Sequence, residues 1–247
     1  MCGRYAFLLP HEAWRGLYKI LNEFTSPPPR YNITPTQPIV IILEREGRRT
    51  AELFRWGFVP AWVKDPKDFP LLINARAETM GEKPSFRDAI RNSRCIVPAS
   101  GYYEWMKAPG GKRLPYYITS TETEIMAFAG LYSTWAGPNG EEVDTVAIVT
   151  VEPNLEISSV YDRMPAILRG GGAIDSWLDT RNVNAKEAIA LAVPPPRGTM
   201  KYHPVGRAVG RADSEGPDLI QPIDPSAEPV EETPKRKRAA NGQLDLF

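Results

Sequence analysis

The stretch IVIILEREGRRTAELFRW, residues 39–56, is the most informative about the fold, because it holds two β-like runs, Ile39–Leu43 and Thr50–Trp56. A polar segment with one glycine separates them, and such punctuated runs are typical of short β-strands. Similar runs follow at Cys95–Val97, Tyr116–Thr119, Ile125–Leu131 and Val146–Val151. Helical patterns are few and short, at 11–24, 85–92, 174–178 and 185–192. This pattern predicts a single compact α+β domain with a curved, barrel-like β core flanked by short helices.

The composition is that of a protein with one sizeable core. The chain has 247 residues, of which 42% are hydrophobic. Its two cysteines, Cys2 and Cys95, form no paired framework, which indicates a reduced, cytoplasmic protein. No apolar run resembles a signal peptide or a membrane helix. With two distant histidines and no Cys-x-x-Cys motif, we expect no metal, and we also expect no cofactor. Separately, we expect the protein to be a monomer.

Charge is unevenly distributed along the chain. Residues 1–212 hold 26 basic and 22 acidic residues, whereas residues 213–247 hold four basic and eight acidic ones. The body is therefore modestly basic, which suits a polyanionic partner without requiring one.

The C-terminal segment differs in composition from the domain, which we place at residues 2–220. Residues 221–242 are rich in Pro, Glu and Ala and are predicted to be a disordered linker. Residues 243–247, with Gln243, Leu244, Leu246 and Phe247, resemble the peptide that docks bacterial repair proteins on the sliding clamp. Terminal placement after a flexible linker is what a tether needs. The alternative is that these side chains fold back onto the domain.

The residue with the most suggestive chemistry is Cys2. Removal of Met1, which a small second residue usually permits, would leave Cys2 with a free α-amine beside its thiol. This 1,2-aminothiol traps aldehydes as a stable ring, and both groups have reference pKa values of about 8 to 8.5. By itself, however, Cys2 is better explained as an incidental small hydrophobic residue.

Polar residues also interrupt apolar segments at two other places. Asn74, Arg76 and Glu78 follow Leu71-Leu72-Ile73 with a spacing of two, so they share one face if the segment is extended. Glu104 lies between aromatic residues, which favours a buried acid with a raised pKa over an exposed strand residue.

Taken together, these segments resemble the SRAP family, the SOS response-associated peptidases or abasic-site processing proteins. The resemblance spans roughly residues 2–220. The matching segments occur in family order: Met1-Cys2-Gly3-Arg4-Tyr5, Arg30-Tyr31-Asn32-Ile33-Thr34-Pro35-Thr36-Gln37, Trp56-Gly57-Phe58-Val59-Pro60-Ala61-Trp62, Asn74-Ala75-Arg76-Ala77-Glu78-Thr79, Lys83-Pro84-Ser85-Phe86-Arg87, Arg94-Cys95-Ile96-Val97-Pro98-Ala99, Gly101-Tyr102-Tyr103-Glu104-Trp105, Ala127-Phe128-Ala129-Gly130-Leu131 and Asp162-Arg163-Met164-Pro165.

The resemblance implies a covalent reaction with abasic sites in single-stranded DNA. The amine of Cys2 would form a Schiff base with the aldehyde of the open sugar, and the thiol would close a thiazolidine ring. Asn74 would position Cys2 and the sugar, and Glu104 would act as general acid and base on the sugar oxygen. The product is a DNA–protein crosslink that shields the lesion during replication. Self-removal of Met1 is the family's suggested peptidase activity, although an aminopeptidase could do the same.

The resemblance also assigns residues that contact DNA. Arg4 and Arg76 would hold phosphates beside the lesion. Trp62 looks like a wedge or stacking residue that separates bases. Thr150 matches a position that lines the family's pocket.

The chain departs from the family pattern near the expected pocket in two places: at residue 161, and at Gly206 and Gly210, where the family tends to have Ser and Asn. The family usually has histidine before Asp-Arg-Met-Pro, and this chain has Tyr161. Because tyrosine has a reference pKa of about 10, it offers a hydrogen bond but no proton exchange near neutrality. We therefore expect the crosslink to form but to reverse slowly.

Two other functions stay open from the sequence. One is an N-terminal-nucleophile amidohydrolase or peptidase, with the Cys2 thiol as nucleophile and Asn74 in an oxyanion hole. The other is a non-catalytic, clamp-tethered binder of single-stranded DNA, which Tyr161 makes worth considering.

Overall fold

A computed structural model describes residues 2–107 and 113–225 of the chain. Strands hold more of these residues than helices do, and the helices are short. The elements, in chain order, are β1 (Tyr5–Phe7), α1 (His11–Arg15), β2 (Arg30–Ile33), β3 (Pro38–Arg45), β4 (Arg48–Trp56), β5 (Asn74–Arg76), α2 (Ala89–Asn92), β6 (Arg94–Ala99), β7 (Gly101–Lys107), β8 (Arg113–Ser120), β9 (Met126–Ala136), β10 (Glu142–Val151), β11 (Met164–Pro165), β12 (Ile167–Leu168), α3 (Gly170–Leu178), α4 (Ala185–Leu191) and β13 (Met200–Pro204).

Five strands close into a small barrel. Antiparallel pairing runs from β4 to β3, β6, β9 and β10. The ring closes because β10 also pairs with β4 in parallel, with Thr145 opposite Arg55 and Val146 opposite Trp56. Full closure leaves these strands without a free edge. The predicted α+β class with a barrel-like β core is thereby confirmed.

The β3–β4 hairpin follows directly from residues 39–56. Ile39–Leu43 is buried at every position, as expected for a strand covered on both faces. Glu46 and Gly47 form the two-residue turn with φ angles of +54° and +74°, and Arg45 pairs with Arg48 across it. Two positive φ angles give the hairpin turn whose twist matches that of the flanking strands, and glycine adopts this conformation without strain.

A second sheet carries the N-terminus. Its strand order is β13-β8-β7-β1-β2, so β1 is paired on both sides. Tyr5 of β1 lies opposite Ile33 of β2 and opposite Tyr102 of β7. Pairing on both sides fixes the first residues of the chain against β7, the strand that contains Glu104.

The helix predicted at residues 11–24 is much shorter in the structure. α1 ends at Arg15, and the chain then turns through Lys19, which has a φ of +56°. The N–H of Ile20 donates to the carbonyl of Arg15, which caps the turn. Only Trp14 and Tyr18 of the predicted apolar face are buried, whereas Leu17 and Leu21 are exposed. The chain is therefore helical for one turn, His11–Arg15, and the predicted helix was wrong for residues 16–24.

Within residues 2–107 and 113–225, no helix is long and apolar enough to cross a membrane. The part of the predicted linker after residue 225 and the whole of the predicted clamp peptide, residues 243–247, lie outside the described residues.

Candidate active site

Cys2 lies just before β1, and its side chain is fully buried. Its Sγ lies 3.9 Å from the carbonyl oxygen of Arg4, as a weak donor. Burial raises the pKa of the Cys2 thiol well above its usual range, and the charge of Glu104 raises it further. The thiol is therefore protonated in this environment, and it needs a nearby proton acceptor before it can act as a nucleophile.

Glu104 lies close enough to Cys2 for its charge to affect the thiol, and its proton affinity suits a proton acceptor. It lies in the middle of β7 and is 3% exposed. Burial raises the pKa of Glu104 to about 7, and the Asp162 carboxylate contributes in the same direction. A carboxyl group that titrates near neutrality can both give and take a proton during one reaction. The burial expected from its aromatic neighbours is what the structure has.

Tyr161 lies near Glu104 although 57 positions separate them in the sequence. Its side chain is half-buried. Burial is the largest cause that raises the pKa of Tyr161, followed by the charges of Glu104 and Asp162. The segment before β11 therefore places Tyr161 where the charge of Glu104 affects it.

Asn74 and Arg76 are the first and last residues of β5, which pairs in parallel with β10. Nδ2 of Asn74 donates to the carbonyl of Ile148 at 3.4 Å. Its Oδ1 is buried and accepts no hydrogen bond from the part of the chain that the structure describes. Arg76, two residues on along the strand, is exposed. β5 thus presents the half-buried Asn74 and the exposed Arg76 on the same face, as their spacing predicted.

Thr150 lies opposite Arg76 in the β5–β10 pair and is buried. Its hydroxyl and its carbonyl oxygen both accept from Nη2 of Arg163, at 3.2 Å and 2.6 Å. Arg163 also makes a bidentate ion pair with Glu78, at 2.8 Å and 3.0 Å. The Asp-Arg-Met-Pro segment marked this arginine, but its partners are 13 and 85 residues away, so the sequence did not reveal its role. Arg163 fixes the ends of β5 and β10 and holds the Tyr161 segment against them.

Arg4 has a different environment from Arg76. Its guanidinium donates to Oδ1 of Asn32 at 2.9 Å and to the carbonyls of Gly210 and Arg211 at 2.8 Å and 3.2 Å. It also lies over the ring of Trp105, 5.9 Å from the centroid. Arg4 therefore joins β1 to the segment around residue 210, and these contacts compete with the phosphate contact that the resemblance implied.

Trp62 is 57% exposed, on the long connection between β4 and β5. The edge of its ring meets Phe69 at a centroid distance of 5.7 Å, and its Nε1 donates to the carbonyl of Pro84 at 3.4 Å. Leu71, on the same connection, is 49% exposed. An aromatic ring held on one side and open on the other is suited to stacking on a base.

The structure brings some of the predicted residues together. Glu104 interacts electrostatically with Cys2 and with Tyr161. The Arg163 contacts join the Tyr161 segment to the strand ends that carry Asn74, Arg76 and Thr150. Trp62 lies on the connection that leads into β5. The partner-binding residues proposed in the tail, Gln243, Leu244, Leu246 and Phe247, are outside the described residues.

Comparison with known proteins finds close similarity over most of the chain. The family model described as SOS response associated peptidase (SRAP) matches residues 1–212. Abasic site processing protein YoqW of Bacillus subtilis (strain 168) is 36% identical over 193 residues, which cover 78% of this chain and 86% of that protein. Abasic site processing protein HMCES of Rattus norvegicus is 30% identical over 272 residues, which cover 91% of this chain and 76% of that protein.

The fold also recurs among solved structures. A crystal structure of a protein from Bacteroides thetaiotaomicron matches with a TM-score of 0.80 at 27% sequence identity. The match covers 90% of this chain and all of that one. The barrel and the sheet that carries the N-terminus are therefore not peculiar to this sequence.

Proposed function

Because the chain belongs to the SOS response associated peptidase (SRAP) family, we propose that it acts in the DNA-damage response by reacting covalently with abasic sites in single-stranded DNA. The reacting group is Cys2 after removal of Met1, either by an aminopeptidase or by the protein itself. The single observation that carries the proposal is the burial of Cys2 beside Glu104, a carboxyl group with a pKa of about 7.

The proposed reaction has two stages. The α-amine of Cys2 adds to C1′ of the open-chain sugar, and loss of water gives a Schiff base. The thiolate of Cys2 then adds to the protonated imine carbon. A C–S bond forms, and the electrons of the C=N bond return to nitrogen. Glu104 supplies and removes protons at the sugar oxygen in the first stage and accepts the thiol proton in the second.

The rest of the site would position the nucleic acid. Asn74 has a buried amide oxygen available to the substrate or to the Cys2 amine. Exposed Arg76 is the better placed of the two proposed arginines for a phosphate, since Arg4 is engaged within the protein. Trp62 would stack on a base near the lesion, and Thr150 would line the pocket.

The C-terminal residues would give the reaction a location. We propose that Leu244, Leu246 and Phe247 insert into an apolar groove of the bacterial sliding clamp, with residues 221–242 as the tether. This proposal rests on the sequence alone.

Blocking the N-terminal amine separates this function from the two alternatives. Selective acetylation of the α-amine of the processed protein should abolish crosslinking to an abasic oligonucleotide. If the protein were only a DNA binder, acetylation would leave its single measurable activity, DNA binding, unchanged, and the unmodified protein would form no adduct. If it were an amidohydrolase, the unmodified protein would hydrolyse small amides and would not react with the aldehyde.

A further inference from the structure

Tyr102 carries a hydroxyl group that the mechanism above does not use. Its side chain is fully buried, and no described residue hydrogen-bonds to its hydroxyl oxygen. Buried hydroxyl groups are nearly always paired, because desolvation without a partner costs free energy. A phenylalanine would fill the same space without this cost, so the hydroxyl calls for an explanation.

The position of Tyr102 on β7 points to the reacting groups. Tyr102 and Glu104 are two residues apart on one strand, so their side chains leave the same face. Tyr102 and Cys2 belong to the same hydrophobic core cluster. The ring of Tyr102 is fixed by an edge contact with Phe128 at a centroid distance of 5.9 Å. The charges of Cys2 and Glu104 both raise the pKa of Tyr102, after the larger effect of burial.

Tyr103, the next residue, provides the contrast. Its side chain leaves the opposite face of β7 and packs in a separate cluster with Ala6 and Tyr117. Its hydroxyl donates to the carbonyl of Tyr31 at 2.7 Å. The hydroxyl of Tyr103 therefore makes a hydrogen bond within the fold, whereas the hydroxyl of Tyr102 makes none with the described residues.

We propose that the Tyr102 hydroxyl donates a hydrogen bond to the Cys2 sulfur as the thiolate forms, and so promotes closure of the thiazolidine ring. Burial in an apolar cluster disfavours the thiolate, and this effect remains after Glu104 has taken up the thiol proton and become neutral. A neutral donor aimed at the sulfur offsets the effect of burial without adding a charge. The inference rests on the proposed function, because it concerns the second stage of that reaction.

The test follows the two stages separately in Tyr102→Phe and in Tyr103→Phe. Each protein is incubated with an abasic oligonucleotide. Borohydride traps the Schiff base at early times, and heat-stable adduct reports the closed ring. In Tyr102→Phe the Schiff base should form normally and ring closure should slow by about tenfold or more, as expected for loss of a hydrogen bond to a charged group. The pH dependence of ring closure should move to higher pH.

Stability measurements supply the readout that a purely structural role would not give. Tyr102→Phe should unfold at the same temperature as the parent protein or a higher one, because it removes an unpaired buried hydroxyl. Tyr103→Phe should unfold at a lower temperature and close the ring at the parent rate. Ring closure at the parent rate in Tyr102→Phe would overturn the inference and leave the proposed function intact. Absence of any Cys2-dependent adduct in the parent protein would overturn both.

Discussion

At the scale of single residues, the chemistry depends on how far burial moves the proton affinity of Glu104. A glutamate in water is fully ionised at neutral pH, whereas Glu104 has a pKa of about 7. Replacement by glutamine keeps the shape and removes the titration. We expect Glu104→Gln to lower the crosslinking rate by roughly 100-fold or more, the usual contribution of a general acid–base group.

The pH profile makes this prediction specific to Glu104. The parent rate should change with an apparent pKa near 7, and the Glu104→Gln profile should lack that transition. Glu23→Gln, a substitution at an exposed glutamate, is the matched control and should leave both rate and profile unchanged. A transition near pH 7 that persists in Glu104→Gln would assign it to another group.

Tyr161 is expected to limit the rate at which the crosslink reverses. Its pKa is raised above the ordinary tyrosine value, so it stays protonated near neutrality and cannot relay protons to and from Glu104. Histidine at this position would titrate in the useful range. We expect Tyr161→His to shorten the half-life of the purified crosslink, measured as release of intact oligonucleotide over time. Tyr161→Phe is the control and should not shorten it. An unchanged half-life in Tyr161→His would contradict the assignment.

At the scale of elements, the sequence predicted those strands and turns that depend on interactions between neighbouring residues. The β3–β4 hairpin follows from its apolar runs and from the Glu46-Gly47 turn. The six predicted strand runs lie in strands, except that Ile125 precedes β9 by one residue. The helix at 11–24 was overextended, because the periodicity could not show that the chain turns back at Lys19.

In the candidate site, too, the sequence predicted local features but not contacts between distant residues. The burial of Glu104 could be predicted from its aromatic neighbours in the sequence. The contacts of Arg163 with Thr150 and Glu78 could not, since they depend on how distant strands pair. The difference between Tyr102 and Tyr103 also depends on which face of β7 meets the N-terminus.

Gly57, at the end of β4, supports a prediction about one element. Its φ is +141°, and a Cβ there would lie 2.4 Å from Cδ1 of Leu71. The exposed Leu71 side chain can move aside, so Gly57→Ala should cost about 1–3 kcal/mol of unfolding free energy mainly from backbone strain. Gly16→Ala is the control, because a Cβ there meets nothing within 4 Å and its φ is −68°. Equal stability of the two variants in denaturant unfolding would contradict this account of the turn.

At the scale of the whole molecule, the buried carboxyl group links the site to the stability of the fold. The pKa of Glu104 is higher in the folded protein than the ordinary value of 4.5. Its stabilising contribution is therefore complete below about pH 4.5 and is lost as the pH rises through 7. The loss amounts to about 3 kcal/mol by the usual conversion of pKa shifts.

Urea unfolding at several pH values tests this linkage. Relative to Glu104→Gln, the parent protein should lose stability between about pH 4.5 and 7, the window set by the shift. A constant stability difference between the two proteins across that window would mean that Glu104 keeps an ordinary pKa in the folded state.

The central claim is that Cys2, with its amine free, captures an abasic site. The most direct measurement is the intact mass of the protein after incubation with an oligonucleotide that contains one abasic site. We expect loss of Met1 and a heat-stable adduct with the mass of protein plus oligonucleotide minus one water. Cys2→Ser should give only a Schiff base that needs borohydride to survive. A protein that keeps Met1, or that forms no heat-stable adduct dependent on Cys2, would contradict the account.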